Sequence, residues 1–478
     1  MSDAPSFKRT IGFSTAIAIV VSGVIGSGIF MRPAEMAALL GSPLLVLLVW
    51  VIAGVFTLFS MMILAEIGAM LPETGGQYVF IQKMYNDFWA YLYGWANFAV
   101  INTAAVAGIT FICAQYLQYF FTLPRFSAAV EQSVVLHIPM IGDIFPLDNF
   151  GAKMLTVFLI SIFTFISYRS TKAGGRVQVV FSVAKVLAII LLIGGLFFSG
   201  QGSFQNFIRD SDIIKPVGLV LVIAMVAACN GALQAYDGAY MIVYMAGEVK
   251  SPGKTLPRSL IIGMFACMAI YILITAAMIY MLPVQDMATS SLVAADAARK
   301  AFGTVAGGII ALLICISVLG ASNASILSSP RITFAMAQQK RFFSAAGRIH
   351  PTFKTPGAAM LLHLSWMIVL VLSGSFYILA DMYIFIVWVF NLMLMYGVFI
   401  LRRKMPHAER PYKVWGYPWM PILVLLFNLF YLVIMLYNDI HNYLSGKTHI
   451  MSSVSGLVLT ALGIPLYWYF KRKRAKDV

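Results

Sequence analysis

Glycine and serine interrupt a long apolar run in the stretch SGVIGSGIF, residues 22–30. Glycine destabilises a helix interior by about 1 kcal/mol relative to alanine, so the stretch predicts a broken helix at residues 26–28. A break inside a membrane leaves backbone N–H and C=O groups that hydrocarbon cannot satisfy. Amides that begin the second half-helix favour an anion, and carbonyls that end the first favour a cation. The stretch therefore has the chemistry to bind a solute that carries both charges, such as an α-amino acid.

The donors for a carboxylate are expected to be the backbone amides of Ser27 and Gly28, to which the Ser27 hydroxyl can add. The glycines would let the solute approach the main chain closely. A structural interpretation stays open, because small residues also let two membrane helices pack tightly.

A second polar interruption lies in CNGALQAYDGAYM, residues 229–241, where Gly231 and Gly238 bracket polar side chains. Asp237 places a carboxylate at mid-membrane depth, which marks a functional site by default. It could attract a substrate amino group, hold the broken helix through its backbone, or be neutral. The structural alternative is an acceptor for nearby backbone amides.

Lys185 is the one basic residue that the sequence does not place at a membrane interface, because it lies well inside FSVAKVLAIILLIGGL. It could extend its ammonium group towards the cytoplasm. It could also set a fixed cation against the carbonyls of the first break, in the place that a bound sodium ion could take. A third interpretation is a proton carrier, because burial favours the neutral amine.

The eighth apolar run, ISVLGASNASILSSPR at residues 316–331, is unusually polar. A helix places Ser317 and Ser328 near one face. Ser322 and Ser325 share another face, and hydrogen bonding between helices is the plain interpretation of these hydroxyls. Weaker candidates for gating or packing are Glu66, Asn97 and Asn102.

The elements that carry these residues are membrane helices. The chain has 478 residues, of which 61% are hydrophobic and 11% charged, and a mean hydropathy of +0.88, which predicts an all-α integral membrane protein. A membrane helix needs about 20 apolar residues, and an outer-membrane barrel would instead alternate apolar and polar residues. Twelve runs fit the helical pattern, at residues 10–40, 43–70, 88–120, 151–168, 176–199, 216–247, 258–282, 303–336, 357–374, 378–401, 418–438 and 450–470.

The net charge of +15 is distributed unevenly between the two sides of this topology. Of the 33 Lys and Arg residues, 24 fall on the side of the N-terminus, and eight, including Arg32 and Lys153, fall on the other. The positive-inside rule then predicts a multi-pass protein of the cell (inner) membrane with both termini in the cytoplasm. We expect the basic tail KRKRAK to lie near anionic lipid headgroups of the bilayer rather than to bind nucleic acid.

The spacing of the two breaks predicts an internal symmetry. Spans one and six are five helices apart, as expected for an inverted five-plus-five repeat with two further helices. A single domain over residues 1–478 would then hold a first repeat at about 10–200, a second at about 216–402, and helices eleven and twelve at about 412–471.

Several motifs together resemble one family. These are IGSGIF, AEIGAMLPETGGQY, AYDG followed by GEVKSPGKTLPR, LGASNASILSSPRITFAMA and HPTFKTP. The chain resembles the L-type amino acid transporters of the amino acid, polyamine and organocation (APC) superfamily over nearly its whole length. The resemblance implies a LeuT-like fold of twelve helices and sodium-independent antiport of neutral amino acids by alternating access. It implies no cofactor, a neutral amino acid substrate and a counter-substrate, with small or polar ones such as serine, threonine and alanine favoured.

The resemblance also implies roles for individual residues. The carboxylate would bind the amides of Ser27 and Gly28, and the amino group would bind carbonyls of Val24, Gln234 and Asp237. Lys185 would tie the first span to the eighth near Gly23 and Ser325. The predicted substrate site comprises Val24, Ile25, Gly26, Ser27, Gly28, Gln234, Tyr236, Asp237, Gly238 and Ala239.

This chain departs from the family at three places. Gln234 stands where relatives often have an aromatic gate, and Ala239 stands where they have tryptophan, so the choice among amino acids is expected to depend on these positions. Residues 121–150 contain no cysteine, and animal members bind a glycoprotein heavy chain through a cysteine there. No disulfide-linked heavy chain is therefore expected.

Two other functions compete with exchange. Proton-coupled amino acid uptake would use Lys185 as its titrating group. An enzyme is disfavoured because the sequence has no HExxH motif, nucleophile elbow or carboxylate pair with metal ligands. The four cysteines all lie in predicted spans without a C-x-x-C pair, so neither a metal site nor a disulfide framework is expected.

Overall fold

The computed structural model describes residues 11–26, 28–71, 76–169, 187, 189–208, 213, 215–244, 246, 249–353 and 355–476. Two residues of the predicted sites, Ser27 and Lys185, lie outside the described residues. So does most of the first half of the fifth predicted span.

The first part of the chain forms helices wherever the sequence has long apolar runs. Pro43 occupies the first turn of its helix, where a missing N–H costs nothing. The Asn86 side chain accepts hydrogen bonds from the amides of Phe88 and Trp89 at 3.0 and 3.2 Å and so begins another helix. The helices are α1 (Phe13–Val24), α2 (Gly28–Leu40), α3 (Pro43–Met70), α4 (Gly76–Met84), α5 (Asp87–Ala96), α6 (Asn102–Leu117), α7 (Ala128–Glu131) and α8 (Phe150–Arg169).

The second part continues the same pattern from residue 189 onwards. Its helices are α9 (Ile189–Phe198), α10 (Gly218–Ala235), α11 (Met241–Tyr244), α12 (Pro252–Met281), α13 (Val284–Thr289), α14 (Val293–Phe302), α15 (Thr304–Ser328), α16 (Pro330–Gln338), α17 (Gly357–Ser373), α18 (Phe376–Lys404), α19 (Trp419–Leu444), α20 (Ser452–Ala461) and α21 (Gly463–Lys476).

The chain is an α-helical, multi-pass membrane protein. Among the described residues, nine helical segments are long and apolar enough to cross a membrane, and the pair α1 and α2, bent by 46°, makes a tenth if it is one span. The apolar runs predicted as spans five and nine contain the shorter helices α9 and α17.

Both predicted breaks coincide with helix ends. Helix α1 ends at Val24 and α2 begins at Gly28. Helix α10 ends at Ala235, and the short helix α11 begins at Met241 after a turn that contains Gly238. The broken segments lie side by side, because α10 packs against α2 and α3, while α1 packs against α11 and α12.

Two local features were not expected. A π-helical turn, Asn97–Ile101, joins α5 to α6 within the third span, and such turns are frequent at functional sites. An antiparallel hairpin of β1 (Leu136–Ile138) and β2 (Gly142–Ile144) lies in the loop before α8. The all-α prediction holds for the membrane helices and needs this correction in the loop.

Two basic residues that the sequence predicts at the membrane interface are buried within the protein. The exposed fractions of Arg32 and Lys153 are 0% and 3%. The Lys153 ammonium donates to the carbonyls of Phe145 and Leu372 at 2.8 and 3.1 Å. Both cations are buried because polar partners from other elements surround them, which a count of charges along the chain does not reveal.

Candidate functional site between the two helix breaks

The two breaks pack directly against each other. A Cβ atom on Gly23 would lie 2.8 Å from the carbonyl oxygen of Gly238, and one on Gly28 would lie 2.8 Å from the Cβ of Ala235. Gly238 also has a φ of +106°, which L side chains rarely adopt. Close packing therefore accounts for Gly23 and Gly28 whatever else they bind.

A tyrosine of α12 joins both breaks. The Tyr271 hydroxyl lies 2.9 Å from the carbonyl oxygens of Val24 and Ala235, the last residues of α1 and α10. It also accepts a hydrogen bond from the amide of Gly26. A hydroxyl has one proton and donates to one carbonyl at a time, while each carbonyl has two lone pairs. The Val24 carbonyl can therefore still accept a second donor.

A cavity of 480 Å³ lies beside the paired breaks. A Cβ on Gly26 would meet only the Val24 carbonyl oxygen, at 3.7 Å, so the chain is open to the cavity there. The predicted site residues that line the cavity are Gly23, Val24, Gly26, Gly28, Gln234, Asp237, Gly238 and Ser325.

Three predicted substrate-site residues are not among the lining residues of this cavity. Ile25 is buried with 1% exposure. The Tyr236 side chain points into the scaffold, where its hydroxyl donates to the Trp50 carbonyl at 3.1 Å and its ring packs against Trp50 and Tyr271. Ala239 lines a separate space of only 30 Å³. The cavity borders the backbone of the breaks. A residue can therefore belong to a break while its side chain points away from the cavity.

Asp237 is half-buried at the edge of the cavity. Its carboxylate accepts hydrogen bonds from the Gly238 amide and from the Tyr240 hydroxyl. Both donors belong to the same turn, so the carboxylate stabilises the break locally. This is the structural alternative that the sequence left open, and the carboxylate also faces the cavity.

The opposite wall of the cavity comes from α6, α15 and α18. Asn102 lies directly after the π-helical turn, and its side-chain amide donates to the side-chain oxygen Oδ1 of Asn97 at 2.7 Å. Asn97 in turn donates to the Tyr93 carbonyl at 2.9 Å. Tyr383 of α18 also lines the cavity and hydrogen-bonds Gln234. The sequence marked Asn102 only weakly and missed Tyr383, since one tyrosine in an apolar helix carries no distinguishing signal.

A buried ionic network closes one end of the cavity. The Arg32 guanidinium donates to the Gln234 side-chain oxygen at 2.7 Å and to the Asp381 carboxylate at 3.0 Å, and it also pairs with Glu35. Gly231 makes room for it, because a Cβ there would lie 2.8 Å from the Arg32 Cδ. Arg32 and Asp381 were not predicted site residues, although Arg32 follows Gly28 by one helical turn and so shares its face.

This network separates two cavities. Gln234 lines the central cavity, whereas Asp381 lines a second cavity of 350 Å³ that extends to Asp143 and His449 in the loops. At its other end the central cavity follows α1 to Thr15 and Ala18, which are exposed. Among the described residues, the central cavity is therefore bounded by the Arg32 network at one end and reaches exposed residues of α1 at the other.

The remaining polar candidates mostly bond within the helix bundle. Glu66 lies away from the cavity lining and accepts hydrogen bonds from Arg402 at 2.9 and 2.8 Å and from the Val414 amide at 2.7 Å. Ser322 pairs with Thr110 at 2.8 Å. Packing is therefore the role that these contacts support. No group of three or more His, Cys, Asp or Glu in the described part of the chain could hold a metal ion.

Replacing Tyr271 with phenylalanine tests the link between the breaks. The change removes only the hydroxyl, and leaving buried carbonyls without a donor costs about 1–3 kcal/mol. We expect a lower melting temperature than in Tyr85→Phe, the matched control. The Tyr85 hydroxyl also donates to a backbone carbonyl, that of Met393 at 2.8 Å, but Tyr85 belongs to neither break. Equal melting temperatures in the two variants would contradict a special role for Tyr271.

Comparison with known proteins points to one family. A family model described as amino acid permease matches residues 11–460. The chain is 29% identical over 474 residues to the serine/threonine exchanger SteT of Bacillus subtilis (strain 168), covering 98% of each chain. It is 28% identical over 489 residues to the large neutral amino acids transporter small subunit 2 of Mus musculus, covering 99% of this chain and 84% of that one. It is 26% identical over 427 residues to the b(0,+)-type amino acid transporter 1 of Mus musculus, covering 89% and 82%.

Proposed function

Because the chain belongs to the amino acid permease family, we propose that it exchanges neutral L-amino acids across the cell (inner) membrane, independently of sodium and by alternating access. The observation that carries this proposal is the cavity between two helix breaks, where main-chain amides and carbonyls face a space closed at one end. Relatives named as exchangers or amino acid transporters support the class of substrate.

The substrate's main-chain groups would bind the backbone of the breaks. The carboxylate would accept hydrogen bonds from the amides of Ser27 and Gly28, at the positive end of α2. The amino group would donate to the carbonyls of Val24, Gln234 and Asp237. The Val24 carbonyl has a lone pair for this in addition to the one that Tyr271 engages.

The lining favours a substrate with an uncharged side chain. Asp237 is the only carboxylate among the described lining residues, and none of these residues is basic. Asp237 would be engaged by the substrate amino group, which leaves no carboxylate among the described lining residues to pair with a basic substrate side chain. Asn102 and Ser325 offer hydrogen bonds to small polar side chains, which supports serine, threonine and alanine as the favoured substrates.

The proposed transport cycle alternates between two closures. In the described state, Arg32 and its partners close the end towards the second cavity, while the cavity is open at Thr15 and Ala18. With both termini in the cytoplasm, this is the inward-open state. The proposal includes twelve spans in one domain, with inverted repeats at about 10–200 and 216–402 and helices eleven and twelve at about 412–471.

Lys185 completes the proposal as a fixed cation between the first and eighth spans. Gly23 and Ser325, which it would join, both line the central cavity and thus lie on the two elements concerned. A permanent charge there would replace a coupling sodium ion. We also propose that no disulfide-linked heavy chain is needed, because residues 121–150 lack cysteine.

Exchange is tested by uptake of radiolabelled serine into liposomes that contain the purified protein. We expect rapid uptake only when the liposomes are preloaded with a neutral amino acid, and no response to sodium. Unlabelled threonine and alanine should compete, whereas lysine and glutamate should not. Uptake into empty liposomes driven by a pH gradient would instead establish proton coupling through a group such as Lys185. Absence of uptake for every amino acid tested would overturn the proposal.

A further inference from the structure

An apolar groove lies on the outside of the helix bundle, between α5, α17 and the junction of α20 with α21. Its volume is 380 Å³, and aromatic and aliphatic side chains line it throughout. Its floor includes the buried Trp95 and Phe98, and its rim includes Leu462, which is 52% exposed. The indole N–H groups of Trp95 and Trp366 donate to the carbonyls of Leu459 and Ala99, at 2.9 and 2.8 Å. The groove therefore presents only carbon to an occupant.

The groove lies beside the junction of α20 and α21 in the last span. Helix α20 ends at Ala461 and α21 begins at Gly463, with Leu462 between them. Gly463 lets the chain approach the Trp95 ring, because a Cβ there would lie 2.5 Å from the ring carbon Cδ1.

Positive charge lies at one end of the groove. Lys471, Arg472 and Lys473 are exposed on α21, and the Lys471 ammonium lies 5.0 Å from the centre of the Trp468 ring. Half-exposed tryptophan beside lysine is typical of the membrane interface. Helical rise places Lys471 about 14 Å from Leu462, close to half of the roughly 30 Å hydrocarbon thickness. A lipid with its headgroup at Lys471 can therefore extend one chain along the groove.

We propose that this groove binds one acyl chain of an anionic phospholipid whose headgroup contacts Lys471, Arg472 and Lys473. A second copy of the chain is a poorer occupant, because a symmetric contact would bring the two basic clusters together. The site adjoins the transport pathway. Ala99 at the groove belongs to the π-helical turn Asn97–Ile101, and Ile101 at the end of that turn lines the central cavity.

Photolabelling of the full-length protein in nanodiscs tests the proposal. Phosphatidylglycerol and phosphatidylcholine would carry the same diazirine acyl chain, and labelled peptides would be identified by mass spectrometry. Each basic residue near a membrane surface is worth roughly fivefold in binding to anionic lipid. We therefore expect phosphatidylglycerol to label residues 452–470 at least about fivefold more strongly than phosphatidylcholine.

Two sets of variants separate the acyl and headgroup contacts. Leu462→Trp fills the groove and should reduce labelling by both lipids, whereas Leu426→Trp, at a position 60% exposed on α19, should not. The triple change Lys471→Gln, Arg472→Gln and Lys473→Gln should remove the preference for phosphatidylglycerol. The matched triple change Lys250→Gln, Lys254→Gln and Arg258→Gln should preserve it. Equal labelling by both lipids, labelling insensitive to Leu462→Trp, or crosslinks between two copies through these peptides would each overturn the proposal.

Discussion

Gly238→Ala is expected to reduce the proposed amino acid exchange by about tenfold or more. Gly238 has a φ of +106°, and a Cβ there would lie 2.5 Å from the Gly23 carbonyl oxygen. Holding a non-glycine residue in a sparsely populated conformation costs about 1–3 kcal/mol. The clash adds to this cost, because a backbone carbonyl cannot move aside as a flexible side chain can. The two breaks would separate, and the proposed substrate carbonyls would no longer converge.

Gly303→Ala is the matched control for this change. Gly303 has a φ of +86°, but a Cβ there would meet nothing within 4 Å, and the residue lies between α14 and α15. Its substitution carries the conformational cost without the contact between the breaks. We expect both variants to melt at lower temperature, and only Gly238→Ala to lose serine exchange per folded molecule. Normal exchange in Gly238→Ala would show that the breaks need not touch.

Arg32→Gln is expected to lower both stability and exchange strongly. The guanidinium is fully buried and pairs with Glu35 and Asp381, whose side chains are 27% and 28% exposed. Removing one member of a buried ion pair costs about 3–5 kcal/mol, and the partial exposure of the two carboxylates places the expected loss at the lower end. The ionic network between the central cavity and the second cavity would lose the guanidinium that joins its members. The proposed exchange would fall because the end of the central cavity at Arg32 could no longer close.

A double-mutant cycle tests whether the effect of Arg32→Gln arises from the ion pair with Asp381 or from a general loss of folding. Arg32→Gln combined with Asp381→Asn removes both charges, so its melting temperature should exceed that of Arg32→Gln alone, while exchange stays low. Arg299→Gln is the control, since Arg299 forms an exposed ion pair with Asp296 at 2.9 Å that is worth about 0–1 kcal/mol. Wild-type exchange in Arg32→Gln would contradict the proposed closure.

The helices and their breaks follow from short segments of sequence. An apolar run of sufficient length becomes a membrane helix whatever surrounds it, because hydrocarbon leaves the backbone no other way to satisfy its polar groups. Gly26 and Gly238 likewise predict interruptions locally, and α1, α2, α10 and α11 end or begin beside them. The π-helical turn was not predicted, because the polar residues Asn97 and Asn102 beside it do not reveal an extra residue in the turn.

The inner surface of the site could not be predicted, because it is formed by contacts between residues that are distant in the sequence. Arg32 is separated from Gln234 by 202 positions and from Asp381 by 349. The helices are apolar on nearly every side, so no periodic pattern indicates which face meets a neighbour or a cavity. Tyr271, whose hydroxyl reaches both breaks, has no polar sequence neighbour that would single it out.

The sequence by itself determined a helical membrane protein with two polar breaks, since each of these properties depends on the composition of one segment. Only the tertiary structure decided which groups face the cavity. It directed the Tyr236 side chain into the scaffold, buried Arg32 in an ionic network, and brought Tyr383 to the cavity wall. The physical reason is that side-chain direction and burial depend on how separate helices pack. Gln234 and Asp381, which bind Arg32, lie on α10 and α18, and Trp50, which binds Tyr236, lies on α3.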